Sequence, residues 1–126
     1  CYCGRFGCAD CYCSAKPLVK LTGGDLAEFF LRLEGGDRDA RDLWQKYLNY
    51  LAQLIHNIHM LYDCKVVLGG QIGQRLDGYL DTLCAKLAAM DPFIQNADYV
   101  SVCKAKVESA AVGAAISFIG EYVSSI

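Results

Sequence analysis

Five cysteines fall within the first thirteen residues, and three of them, Cys1, Cys3 and Cys8, are separated by Gly4 and Gly7. Thiolates are soft, charged ligands that suit zinc, and a tetrahedral site takes four of them or a mixture of cysteine and histidine. Glycines let a short loop curl round an ion without steric penalty. The spacing therefore predicts one side of a zinc site, with Cys1, Cys3 and Cys8 as ligands. One ligand is lacking and the chain opens on the first cysteine, so the fourth is expected upstream. Asp10 follows closely. It reads either as a solvated loop carboxylate or as a fixed acceptor for paired hydroxyl groups, because ionised acceptors make the stronger hydrogen bonds.

Other residues with chemical potential carry less. Cys11 and Cys13 would serve as replacement ligands, or oxidise against Cys1 or Cys3, but we read them as small residues beside a packed loop. Gly69, Gly70 and Gly73 form a glycine-rich turn after an apolar run, where a backbone is free to approach a ligand closely. His56 and His59 lie three apart in a helical segment, yet no cysteine or carboxylate at helical spacing completes a metal site, so packing or surface roles are expected. Lys104 and Lys106 make no basic patch of note, and no Ser/His/Asp arrangement is recoverable.

The run from Cys1 to Ser14, Cys-x-Cys-Gly-x-x-Gly-Cys-x-acidic-x-x-x-Ser, resembles the zinc motif of the ROK family (repressors, open reading frames and sugar kinases). Val66-Val67-Leu68-Gly69-Gly70 resembles that family's strand-to-glycine turn, and Ala110 to Ala115 resembles its closing small-residue helix. Matches at both ends and in the middle, in the right order, cover nearly the whole chain. The resemblance implies that the fourth zinc ligand is an upstream histidine and that the chain is a C-terminal piece of a longer protein. It implies a structural zinc, holding the loop that presents sugar contacts. A glutamate that contacts the sugar stands where this chain has Asp10, one methylene shorter. The glycine turn of Gly69, Gly70 and Gly73 would approach the adenosine of ATP. ATP-using relatives commonly carry a third consecutive glycine, and here Gln71 takes its place.

Composition bounds the rest. With 126 residues the chain is one domain or part of one. A hydrophobic content of 54% is high for a soluble chain of this size, yet no stretch approaches the roughly 20 apolar residues of a membrane span. The excess is expected to form faces meant for a missing half or a partner. A net charge of −2 gives no electrostatic reason for contact with DNA or anionic lipid. Eight cysteines would suit a disulfide scaffold, but Cys64, Cys84 and Cys103 stand alone in strongly patterned segments, as buried free thiols do. The cytoplasm is the expected compartment.

Elements able to position these residues follow from periodicity. After a segment broken by Pro17 and Gly23-Gly24, Asp25 starts a helix through Leu26, Phe29, Phe30 and Leu33 that Gly35-Gly36 closes. Asp37 caps the next. Ala40, Leu43, Trp44, Tyr47, Leu48, Leu51, Leu54, Ile55, Ile58 and Tyr62 recur at spacings of three and four, which predicts a long amphipathic helix to about Leu61. Residues 65–68 read as a buried strand feeding the glycine turn. A helix is expected from Gln74 to Met90, ended by Pro92. Residues 99–103 alternate like a strand, and Ser109 to Val123 form a last helix whose Gly113, Ala114 and Ala115 permit close packing. Helix, strand, helix, strand, helix implies α/β layering. The resemblance makes this the C-terminal part of a ribonuclease H-like, actin-like ATPase (sugar kinase) fold. Residues 1–126 would be the C-terminal portion of a sugar-binding domain, and 1–14 its zinc loop.

Three functions compete at this level. The favoured one is a sugar-responsive transcriptional regulator, in which this piece contributes hexose binding and homodimerisation while DNA is bound through a domain upstream. The alternative is a sugar kinase that uses Mg-ATP, whose aspartate base and phosphate loop would lie in the absent half, so the piece alone is no enzyme. A free-standing zinc-binding interaction module explains the cysteines but neither the glycine turn nor the closing helix.

Overall fold

In a computed structural model, residues 1–91, 97–104 and 109–124 are described. The cysteine loop leads into two short helices, α1 (Asp10–Cys13) and α2 (Lys16–Val19), and a 3₁₀ turn over Lys20–Thr22. Neither short helix was anticipated. Pro17, expected to break the segment, sits in the first turn of α2, where its missing N–H would have had no partner in any case.

Helix α3 (Leu26–Glu34) begins at Asp25, whose carboxylate accepts from the amides of Ala27 and Glu28 at 2.8 and 3.1 Å. It ends at the glycine pair, where the Asp37 amide returns to the Arg32 carbonyl. Helix α4 (Arg38–Tyr62) begins with Asp37 accepting from the Ala40 amide at 3.0 Å. Its stripe of Ala40, Trp44, Tyr47, Leu48, Leu51, Ala52 and Ile55 is buried, so the long helix is the spine of the core. Trp44 lies at the centre. It stacks on Tyr47 with ring centres 5.2 Å apart and meets Phe30 and Tyr79 edge-on. Helices α1, α3 and α6 (Leu80–Met90) all pack on α4.

Strand β1 (Val66–Leu68) pairs in parallel with β2 (Val100–Val102), in the register Val66 to Val100 and Leu68 to Val102. Helices α5 (Gly70–Leu76) and α6 make the crossover between them, joined by a 3₁₀ turn at Asp77–Tyr79. The expected α/β order therefore holds. Within it, four details differ from the sequence reading. The glycine turn is only Gly69-Gly70, because α5 has begun by Gly70 and Gly73 lies inside it, pressed against the Leu68 backbone. The single helix expected from Gln74 is two helices with a bend at Asp77-Gly78. Strand β1 is buried on one face only, with Val67 61% exposed. Tyr62 is exposed at 73%, along with Met60 and Leu61, so the apolar stripe of α4 is not buried at its far end.

Pro92 lies outside the described residues, and α6 ends at Met90. The last helix, α7 (Ser109–Ser124), exposes Ile116, Ile119, Tyr122 and Val123. Among the described residues nothing lies within 4 Å of a Cβ built on Gly113, so the expected close packing of that face is not found. No helix of the described residues is long and apolar enough to cross a membrane.

Candidate functional site

Cys1, Cys3 and Cys8 converge. Their Sγ atoms all lie within 4.8 Å of one another, and Cys3 and Cys8 approach to 3.4 Å. Gly4 and Gly7 make this possible with φ of +73° and +79°, a left-handed backbone that a side chain would strain. Two thiolates on a tetrahedral zinc at 2.3 Å stand about 3.8 Å apart, so the sulfurs need only small shifts to fit such an ion. The cluster is able to hold a metal, and among the described residues it is the one group of three or more potential ligands. It lies at the surface, with Cys1 and Cys3 exposed and Cys8 half-buried. The Cys8 thiol is raised above its ordinary value by its contact with the Cys3 sulfur, by burial and by nearby negative charge. Metal binding would release these protons.

Cys11 and Cys13 are not in this group. Cys13 is half-buried against the core, where burial raises its thiol, in keeping with a packing role. All eight cysteines are free thiols, and Cys64, Cys84 and Cys103, expected to be buried, are half-buried. His56 and His59 form no ligand group either. The His59 ring stacks on Tyr99 with centres 3.7 Å apart, and its Nδ1 lies 3.0 Å from the Cys64 carbonyl oxygen. His56 Nδ1 is buried without a hydrogen-bond partner among the described residues.

Asp10 opens α1 directly behind the cysteine loop. Its Oδ2 is 2.5 Å from Lys16 Nζ, and Ser14 Oγ donates to its carbonyl oxygen. The partly exposed carboxylate is thus anchored at one oxygen rather than free in solvent. Two participants escaped the sequence reading. Lys16 is one, because a spacing of six residues fits no helical rule and the two short helices were not foreseen. Tyr47 is the other: its hydroxyl donates to the Cys13 carbonyl oxygen at 3.0 Å, fastening the end of α1 to α4. A buried tyrosine in an apolar stripe needs a partner for its hydroxyl, and that requirement was the available signal.

Gly69 of the glycine turn and Cys13 at the end of α1 border one cavity of about 330 Å³. Ser14, Ala15, Tyr47, Leu51, Gln71 and Gly73 also line it. Gly73 earns its place by allowing close approach of α5 to β1, since a Cβ there would lie 2.9 Å from the Leu68 carbonyl oxygen. The structure therefore brings Gly69 and Gly73, but not Gly70, into one cleft with Cys13, Ser14 and Ala15, while Asp10 and the cysteine cluster do not line it.

The model of the ROK family matches residues 1–121. The chain is 32% identical to N-acetylmannosamine kinases of Escherichia coli O157:H7, Escherichia fergusonii and Shigella boydii serotype 18. Each alignment takes in 96% of this chain and 43% of the relative, so the chain spans less than half the length of the curated relatives it matches. No solved structure matches significantly.

Proposed function

The chain belongs to the ROK family, and from that premise we propose that it is the C-terminal part of a sugar kinase that transfers the γ-phosphoryl group of Mg-ATP to an N-acetylhexosamine. The supporting observation is the match to N-acetylmannosamine kinases over 96% of the chain. Sequence features alone favoured a sugar-responsive regulator. The relatives' names favour the kinase, and DNA binding has no independent support here.

In this reading Asp10 accepts hydrogen bonds from sugar hydroxyls through its carboxylate. Gly69 and Gly70 let the backbone after β1 approach the adenosine. Cys1, Cys3 and Cys8 hold zinc together with a ligand outside this chain. Bound there, the ion supplies charge and rigidity to the loop, and phosphoryl transfer takes place elsewhere. The acceptor hydroxyl attacks the γ-phosphorus in line as ADP departs, which requires positioning and charge stabilisation from both halves of the protein. The exposed apolar residues of β1, the end of α4 and α7 supply surface for the remaining half and for a homodimer contact.

A coupled ADP-release assay on the full-length protein, with Mg-ATP and N-acetylmannosamine, tests the proposal. ADP release that depends on the sugar is the expected result. Sugar binding that alters DNA affinity, without ADP release, would establish the regulator instead.

A further inference from the structure

Lys16 makes two contacts that neither the cysteine cluster nor the cleft explains. Its Nζ pairs with Asp10 Oδ2, and the same ammonium stands 5.0 Å from the centre of the Tyr2 ring. Tyr2 lies between Cys1 and Cys3, inside the loop whose three sulfurs converge. One ammonium thus touches both the metal loop and the carboxylate that follows it. The Lys16 and Asp10 side chains are 58% and 40% exposed, and an exposed pair of this kind adds little to folding. What it does fix is direction. The contact commits Oδ2 and leaves Oδ1, which has no hydrogen-bond partner among the described residues, as the acceptor that remains. The aromatic face of Tyr2 in turn confines the ammonium, through the attraction of a cation to a ring quadrupole.

We propose that Lys16 is a positioning residue that couples the cysteine cluster to the sugar site. When the cluster holds its metal, residues 1–8 are fixed, Tyr2 is fixed with them, and the ammonium is held where it aims Asp10. When the metal leaves, the loop loses its cross-link, Tyr2 departs, and Lys16 and Asp10 are free to rotate together. Metal and sugar therefore reinforce each other's binding. The coupling rests on the proposals that Cys1, Cys3 and Cys8 bind zinc and that Asp10 contacts the sugar. Linkage makes it reciprocal: zinc raises sugar affinity by the same factor by which sugar raises zinc affinity.

The test uses the full-length protein in zinc-loaded and chelator-stripped forms. N-acetylmannosamine affinity is measured by calorimetry, and zinc affinity by competition with a chromophoric chelator, with and without the sugar. The wild type should show a factor of about 5 or more, equal in both titrations. Lys16→Met should bring both factors close to 1 while zinc still binds, and Lys16→Arg should restore them by keeping the charge. Tyr2→Leu changes a residue that is 87% exposed and should lose part of the factor without disturbing the core, which guards against a Lys16 variant that misfolds. Three results would overturn the coupling. These are equal sugar affinity in loaded and stripped wild type, an undiminished factor in Lys16→Met, or a loss in Lys16→Met that is the same in both forms and so marks a direct sugar contact. Asp10→Asn separates the two levels. If it leaves sugar affinity unchanged, the role of Asp10 fails and the coupling falls with it. If it abolishes sugar binding while Lys16→Met leaves the factor intact, the coupling alone is refuted.

Discussion

Replacing Gly73 by alanine adds one methyl group inside α5, where it would lie 2.9 Å from the carbonyl oxygen of Leu68 and 3.1 Å from its carbonyl carbon. Two effects of opposite sign compete. In an ordinary helix interior alanine is favoured over glycine by about 1 kcal/mol. Overpacking a filled site costs about 1–3 kcal/mol. The atoms in the way belong to backbone, and that backbone is itself engaged, because the Leu68 carbonyl accepts from the Cys103 amide at 2.8 Å. It cannot yield without loosening the pairing of β1 with β2, so the upper part of the range applies. The net expectation is a loss of about 1–2 kcal/mol.

Urea unfolding measures this loss as a lower midpoint at unchanged slope. Amide exchange at Cys103 should also quicken, since its hydrogen bond to Leu68 is the one disturbed. Gly78→Ala provides the contrast. Nothing lies within 4 Å of a Cβ there and the backbone is unstrained, so that variant should gain about 0.4–1 kcal/mol through the unfolded state. A Gly73→Ala protein at least as stable as its parent would refute the close approach of α5 to β1 and, with it, the shape of the cleft wall.

Leu51→Ala should cost about 2–5 kcal/mol by thermal or urea unfolding, since Leu51 is buried on the α4 stripe; a cost below about 0.5 kcal/mol would place it on the surface. Asp37→Ala removes the carboxylate that accepts from the Ala40 amide and should cost about 1 kcal/mol, whereas Asp37→Asn should retain most of it. Tyr47→Phe removes the hydrogen bond to Cys13 and should cost about 0.5–1.5 kcal/mol. Burial, aided by the nearby Cys13, raises the Tyr47 phenol above its ordinary value, so the fold favours the protonated form. That contribution is complete below the unfolded value near pH 10 and is lost as pH climbs through the raised folded value, and Tyr47→Phe should remove this part of the alkaline instability. Metal analysis of the full-length protein should find zinc, with Cys1, Cys3 and Cys8 protected from alkylation until a chelator is added.

The parts of the fold legible in the sequence are those fixed by local chemistry. Asp25 and Asp37 announce their helices because a short carboxylate accepts from amides two or three residues on. The α4 stripe is readable because burial along one helix face imposes its own period. Its far end was misjudged for a related reason. Periodicity shows that Tyr62 shares a face with Ile55 but not whether anything covers that face so far along. The same limit applies to Val67, whose apolar side chain suits a buried strand and yet is open on this chain. Short helices such as α1 and α2, at four residues each, are set by tertiary packing and leave no periodic trace. Their absence from the sequence reading is why Lys16 was not connected to Asp10.

The glycine turn shows how structure changes the weight of a sequence departure. Gln71 replaces a glycine common in ATP-using relatives, and in the sequence this counted toward a regulator. The left-handed conformation occurs at Gly70, with φ of +74°, while Asp63 is the one non-glycine residue with positive φ among those described. Position 71 therefore asks nothing of the backbone that glutamine cannot give. It lies in the first turn of α5 and lines the cleft. Among the described residues no atom comes within 4 Å of a Cβ built on Gly70, whereas one built on Gly69 would meet the Cys103 side chain at 3.6 Å. Gln71 thus leaves the left-handed turn at Gly70 unaltered while adding an amide able to donate and accept beside the cleft. Such a group is as well suited to bonding a nucleotide base as to excluding one, so the substitution no longer counts against a kinase.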